Sequence, residues 1–360
     1  MKIGLARRDA ASRAAMIGAP ILALMLTCMT SLVLFALLSI PAGPALYALL
    51  LKPFLSWYSF SEVLLKMVPL LLIAQGLAIG FRANVFNIGA EGQFIIGAIC
   101  ASAFPVFYPD GNFPLMLPAM ILSGAIGGML YSAIAAVLRT RYGASEILVT
   151  LMLSLIAVQV LNYLLLGPWK DPMGFNFPQS VMFPQNALLP PLFEGTRTNV
   201  SLIFAILASA LAYILVQHHF RGYQLRTAGL APKAAGYAGF STPRMIWLSL
   251  ALGGLAAGIA GASEVAGPLG QLQRSVASGY GYAAIIVAYV GGLNPLGIIA
   301  SSFLISVLYI GGDSATVSAG LPVAAVDVFQ GMLLVFYLLT FTLIRFRVEF
   351  RPQVPRNTAI

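Results

Sequence analysis

The sequence predicts an all-α, polytopic membrane protein with about ten transmembrane helices. Three observations predict it. Of 360 residues, 59% are hydrophobic and 9% charged. The mean hydropathy is +0.91. The charges fall between long apolar runs rather than spreading through them. Soluble domains carry roughly 25% charged residues, and a soluble fold of this length has no core large enough to bury so much apolar surface. Lipid covers it instead. The 35 glycines and 22 prolines fit the same class, because both are commoner in membrane helices than in soluble ones.

The N-terminal stretch carries Lys2, Arg7, Arg8 and Arg13, followed by an apolar run from Ala14 to Leu51. A signal-peptide core is roughly 7–15 residues and a spanning helix about 20, so the run reads as a retained first helix behind a cytoplasmic tail at 1–15. Charge-free stretches then place helices near 16–40, 62–82, 86–107, 114–138, 146–166, 199–217, 245–267, 278–292, 295–312 and 326–345. The uncharged stretch from Ser275 to Gly312 is too long for one helix, and Gly291-Gly292-Leu293-Asn294-Pro295 divides it. The 86–107 segment either spans or re-enters, because almost no loop separates it from the helix before.

Basic residues orient such a chain. With the N-terminus inside, 15 of the 20 lysines and arginines fall in cytoplasmic segments. Lys52, Lys170, Arg197 and Arg274 fall outside, and Lys66 lies within a span. An even number of spans with both termini cytoplasmic satisfies this count. The chain then reads as one transmembrane permease domain over 1–360 with an outer loop at 167–198, a cytoplasmic loop at 218–244 and a C-terminal tail at 346–360.

Several chemistries are absent from the pattern. No lysine follows a glycine, so the phosphate-cradling loop that ends in Gly-Lys-[Ser/Thr] has no place here. His218 and His219 are adjacent, face different directions on a helix, and read as interfacial residues rather than metal ligands. Cys28 and Cys100 sit in apolar segments and read as packing residues. No catalytic or metal-binding constellation is expected.

Polar residues within apolar segments need an explanation, since each costs on the order of 2.5–3.5 kcal/mol in lipid. The densest group is Asn84, Asn87, Glu91 and Gln93, beside Gly89 and Gly92. On a helix, residues 84, 87 and 91 share a face. Two readings stay open: the polar wall of a translocation pathway formed at a broken helix, or a clamp that fixes packing. Gln75 is a further pathway candidate, with Asn162 and Gln271 weaker ones. Glu146, Glu264, Asp313 and Asp327 are expected at helix caps or interfaces, Glu146 in the first turn of its helix. The glycines from Gly253 to Gly261 suit close helix packing. In the cytoplasmic loop, Pro232 suits a first helical position and Gly239 a stop. The Ala-rich helix between them is too short to stand alone and needs something to dock against. A solute transporter is the common reading, and one way to drive it is an ion gradient through Glu91 or Asp327.

Lys233-Ala234-Ala235 followed by Gly239 resembles the Glu-Ala-Ala-x-x-x-Gly loop of ABC importer permeases, with lysine in place of glutamate. The runs Phe86–Gln93, Gly167–Pro172, Ala228–Ala235, Gly279–Tyr282 and Val290–Pro295 resemble the simple-sugar and nucleoside branch of the branched-chain amino acid/ribose permease family, over residues 60–345. That resemblance implies an ABC importer permease fold in the bacterial cytoplasmic (inner) membrane. It implies a second permease subunit, often a different chain, a cytoplasmic ATPase that binds ATP and Mg, and an extracytoplasmic binding protein. It further implies a nucleoside or simple sugar as cargo, and a coupling helix carrying Ala228, Gly229, Lys233, Ala234, Ala235 and Gly239.

Overall fold

The computed structural model describes residues 2–7, 13–37, 39–110 and 113–351; the expected tail positions at 8–12 and 352–360, with Arg8 and Arg356, lie outside them. All ten expected segments fold as helices, and three shorter helices join them. In chain order these are α1 (Arg13–Leu37), α2 (Ala42–Leu50), α3 (Trp57–Arg82), α4 (Ala90–Phe107), α5 (Met116–Tyr142), α6 (Glu146–Leu166) and α7 (Ser201–Gln217). There follow α8 (Phe220–Leu230), α9 (Pro232–Tyr237), α10 (Thr242–Glu264), α11 (Tyr280–Val290), α12 (Pro295–Ala319) and α13 (Val323–Arg345).

Among the described residues, α3, α4, α5, α6, α12 and α10 with its π-helical extension to Leu269 are each long and apolar enough to cross a membrane. Helices α7 and α8 make a seventh if read as one span bent by 68°. The chain is a multi-pass membrane protein. Helix α11 has only 11 residues, about 16 Å at 1.5 Å per residue, roughly half of the ~30 Å hydrocarbon core.

The fold departs from all-α at the tails. Strand β1 (Lys2–Arg7) pairs antiparallel with β2 (Phe346–Arg351), Lys2 opposite Arg351 and Arg7 opposite Phe346. The tail segments were expected only as tails at 1–15 and 346–360; among the described residues their strands pair with each other, more than 300 residues apart in the chain.

The chain divides into two compact units, residues 53–310 and the two ends 1–52 with 311–360. In the terminal unit α1 packs on α13, and Gly311 lets the backbone of α12 approach that of Leu49. In the central unit α10 is the hub, packed against α3, α4 and α5. Its glycines make that possible: a methyl at Gly258 would lie 2.9 Å from the carbonyl carbon of Gly124, and one at Gly76 of α3 would lie 3.0 Å from the Cα of Gly253. Small residues let membrane helices approach to backbone contact, as the run from Gly253 to Gly261 predicts.

Candidate functional site

Helix α3 is capped at its start by Ser56, whose hydroxyl accepts from the Ser59 amide at 3.0 Å. It ends at Arg82, and helix does not resume until Ala90. Residues 83–89 are turn and extended chain. The expected helical face through Asn84, Asn87 and Glu91 therefore does not form. Asn84 is exposed with a left-handed φ of 57°, a conformation asparagine tolerates better than most residues. Asn87 lies in the break and Glu91 in the first turn of α4.

The break is held by α6. Glu146, Thr150 and Ser154 recur every four residues on one buried face of that helix. The amide of Phe86 donates to Glu146 Oε1 at 3.4 Å, that of Ile88 to Thr150 Oγ1 at 3.1 Å, and that of Gly92 to Ser154 Oγ at 3.2 Å. Glu146 is in the first turn of α6, as predicted, and is ion-paired with Arg139. Asn87 and Gln93 exchange amide hydrogen bonds of 2.9 and 3.1 Å, and Asn87 Oδ1 also accepts from the Gly89 amide at 3.0 Å. These side chains satisfy backbone groups that the interrupted helix leaves without partners.

Glu91 reaches across the unit. Its two carboxyl oxygens accept from the amides of Gly279 at 2.8 Å and Gly281 at 2.6 Å, the N-cap and second residue of α11. The N-termini of α4 and α11 thus meet at one side chain. Glycine is required at 281, because a methyl there would lie 2.7 Å from the Ala90 carbonyl carbon. The junction sits beside the middle of α10: Asn87 lies against Gly253 and Phe94 against Gly261. Tyr280, the first residue of α11, is buried and accepts from Lys66 Nζ of α3. At the far end of α11, Arg82 Nε donates to the Leu293 carbonyl at 2.8 Å, and Phe81 stacks on Tyr289. Helix α11 is fixed at both ends to α3 and at its start to α4.

Gln75 lies apart from this group. Its amide nitrogen donates to Ser209 Oγ at 3.0 Å and to the Pro295 carbonyl at 2.9 Å. Its chain borders a hollow between α3, α7 and α10 whose other walls are almost wholly apolar.

The loop after α6 is ordered against the coil that leads into α11. Ser180, Phe183 and Leu189 donate their amides to the carbonyls of Leu272, Gly270 and Ala266 at 2.8–2.9 Å. Arg197 of this loop pairs with Glu62 of α3, Nε to Oε1 at 3.0 Å. Glu62 holds the guanidinium proton more firmly than usual.

At the opposite end, His219 caps α8 by accepting from the Arg221 amide at 3.1 Å. The single short helix expected near 228–239 is two helices, α8 ending at Leu230 and α9 beginning at Pro232. Proline is at the start of α9, and Gly239 stops the segment with a φ of 77°. Ala228 and Ala235 are buried in a core cluster with Ile79, Ala135, Met245 and Leu250. Gly229 packs against the backbone of Arg82 and Ala83, where the break begins. Lys233 and Ala234 face outward, and Tyr237 is 94% exposed. Sequence reasoning passed over Tyr237, although an aromatic residue at the tip of an otherwise Ala/Gly-rich segment was a readable signal. The α6 stripe was readable too, as polar residues four apart in an apolar helix. The Glu91–Gly281 pairing carried no such signal.

A family model described as branched-chain amino acid transport system / permease component matches residues 59–338. The glucose ABC transporter permease protein TsgB13 of Haloferax volcanii is 30% identical over 92% of this chain and 89% of its own length. The guanosine ABC transporter permease protein NupP of Bacillus subtilis is 28% identical over 78% of this chain and 80% of its own. The nucleoside ABC transporter permease protein NupB of Lactococcus lactis is 29% identical over 79% and 80% respectively. No solved structure matches the chain. This chain, with its break between α3 and α4 and its surface-exposed α8–α9 segment, belongs to the branched-chain amino acid transport system permease family and is an ABC transporter permease subunit.

Proposed function

We propose that the chain imports a nucleoside or simple sugar across a bacterial cytoplasmic membrane, as one of two permease subunits. An ABC ATPase that binds ATP and Mg drives it from the cytoplasm, and an extracytoplasmic binding protein delivers the solute. The cargo follows from the relatives, whose names specify glucose, guanosine and nucleosides. Ten crossings with both termini cytoplasmic agree with the placement of basic residues, and the pairing of β1 with β2 supports termini on one side.

The observation that carries the mechanism is the seating of α8–α9. Buried Ala228 and Ala235 anchor the segment, while Lys233 and Tyr237 stay outside. A small rigid element with an exposed aromatic tip suits a docking anchor. Gly229 bears on Arg82 and Ala83, so a push on the segment reaches the start of the break. The break leads to Glu91, and Glu91 holds the start of α11. Two states of the ATPase would thus bias two arrangements of α4 and α11. Asn87, Glu91 and Gln93 act here as the clamp of a moving joint, and Asn84, exposed beside Arg139 and Glu146, lies at its mouth. An ion-coupled mechanism through Glu91 fits less well, since both its carboxyl oxygens are engaged by α11 amides.

The test is uptake of labelled guanosine and glucose by proteoliposomes holding both permeases, the ATPase and the binding protein. Uptake that needs ATP and the binding protein supports the proposal. Uptake driven by an ion gradient without ATP overturns it.

A further inference from the structure

We propose that the central unit binds an anionic phospholipid, with its headgroup at Arg221 and Arg244 and an acyl chain in the groove between α3, α7 and α10. Two hollows carry the inference. One, of 510 Å³, is bordered by Arg221, Arg244, Trp247 and Leu248. The other, of 380 Å³, is bordered by Ile79, Leu211, Leu255 and other apolar residues of the three helices, together with Gln75 and His219. Leu215 and Leu252 border both, so one groove runs from the two arginines down between the helices.

Its length fits one leaflet. From Arg244 to Ala256, α10 advances 12 residues, about 18 Å, against roughly 15 Å for half of the ~30 Å hydrocarbon core. The rim has the residues of a membrane interface. Arg244 is in the first turn of α10 and Arg221 is four residues beyond the end of α7. Trp247, whose indole nitrogen donates to Thr140 Oγ1 at 3.3 Å, has the amphipathic ring common at headgroup level. Both arginines are exposed, and neither has an ion pair among the described residues. No acidic side chain borders either hollow. Lower down, the Gln75 amide nitrogen is turned to Ser209 and Pro295 and its oxygen has no hydrogen-bond partner among the described residues; the residues around it in the groove are apolar. Two guanidinium groups without a carboxylate partner, Arg221 holding only a 3.5 Å hydrogen bond to Gln224 Oε1, lie above an apolar slot and complement a phosphodiester above an acyl chain; basic pockets between membrane helices bind such headgroups.

The test uses the full chain, purified with its partner subunits in detergent. Phosphatidylglycerol and phosphatidylcholine of identical acyl chains are titrated, with native mass spectrometry and thermal unfolding as readouts. Phosphatidylglycerol is expected to bind wild type about 25-fold more tightly than the R221Q/R244Q variant, at roughly fivefold per arginine, and to raise the unfolding temperature where phosphatidylcholine does not. Ala251→Trp, which fills the upper groove and leaves both arginines in place, is expected to lose the same binding. Equal binding by wild type and R221Q/R244Q overturns the proposal, as does full reproduction of the effect by glycerol phosphate. Loss of ATPase association in R221Q/R244Q with lipid binding unchanged also overturns it and assigns the arginines to a protein partner.

Discussion

Between α3 and α4 the chain turns inward past Asn84 and ties its polar side chains to one another and to backbone amides; between α7 and α10 it turns outward and leaves an aromatic tip bare. Asn87, Gln93, Glu91, Thr150 and Ser154 all find partners within the central unit. Tyr237 is 94% exposed, two residues from a fully buried Ala235. The difference separates two kinds of functional residue. A closed polar knot sets the geometry of the helices around it, and its loss shows as instability. An open surface awaits another molecule, and its loss shows only when that molecule is present.

Substitutions can break or sharpen this contrast, and stability is the first readout. Gly281→Leu should have the largest effect. Its side chain would occupy the space of the Ala90–Glu91 backbone, and overpacking of this kind costs about 1–3 kcal/mol or more, so the yield of monodisperse protein on size exclusion should fall severely. Glu91→Ala comes next. It removes two acceptors from buried amides, each bond to a charged group being worth about 1.5–3 kcal/mol. Its unfolding temperature in detergent should drop well below wild type, and Glu91→Gln, which keeps one acceptor, should fall about half as far. If Glu91→Ala unfolds normally but transports poorly, the residue lines the pathway instead.

Asn87→Ala should be milder. It leaves Gln93 and the Gly89 amide without their partner, at about 1–3 kcal/mol for a buried group so stranded, measurable in the same thermal assay. Arg197→Ala should be smallest among these. The pair with Glu62 is more than half exposed on the arginine side, and such pairs contribute about 0–1 kcal/mol; a large drop would show that the loop after α6 depends on it.

The legible part of the molecule follows from the solvent it folds in. Hydropathy marked every long helix, and α6 begins and ends where expected, because Ser145-Glu146 opens it and Gly167-Pro168 closes it. The glycines of α10 announced close packing, and Pro232 and Gly239 bounded the docking segment. The end of α3 at Arg82 and a break after it were legible; the extension of that break through 86–89 was not, because Phe86 and Ile88 read as helix once their α6 partners are unknown. Helix α11 was expected over 278–292 and occupies Tyr280–Val290; its short extent was legible because Gly291-Gly292-Leu293-Asn294-Pro295 ends it. Glu91 was singled out as a polar residue, yet its partner lies 190 residues away, and no local pattern encodes that distance. Ala235 is unsuited to probing an ATPase contact, since it is buried and a bulky charge there would disrupt the core cluster; Tyr237 is the better probe.

Tyr237→Ala therefore tests the account most directly. It should leave the unfolding temperature of the permease unchanged, while ATPase co-purification falls by more than about tenfold, as for an aromatic anchor worth roughly 2 kcal/mol, and ATP-dependent uptake is lost. Full ATPase association and uptake with alanine at 237 would contradict the assignment of α9 as the motor's grip.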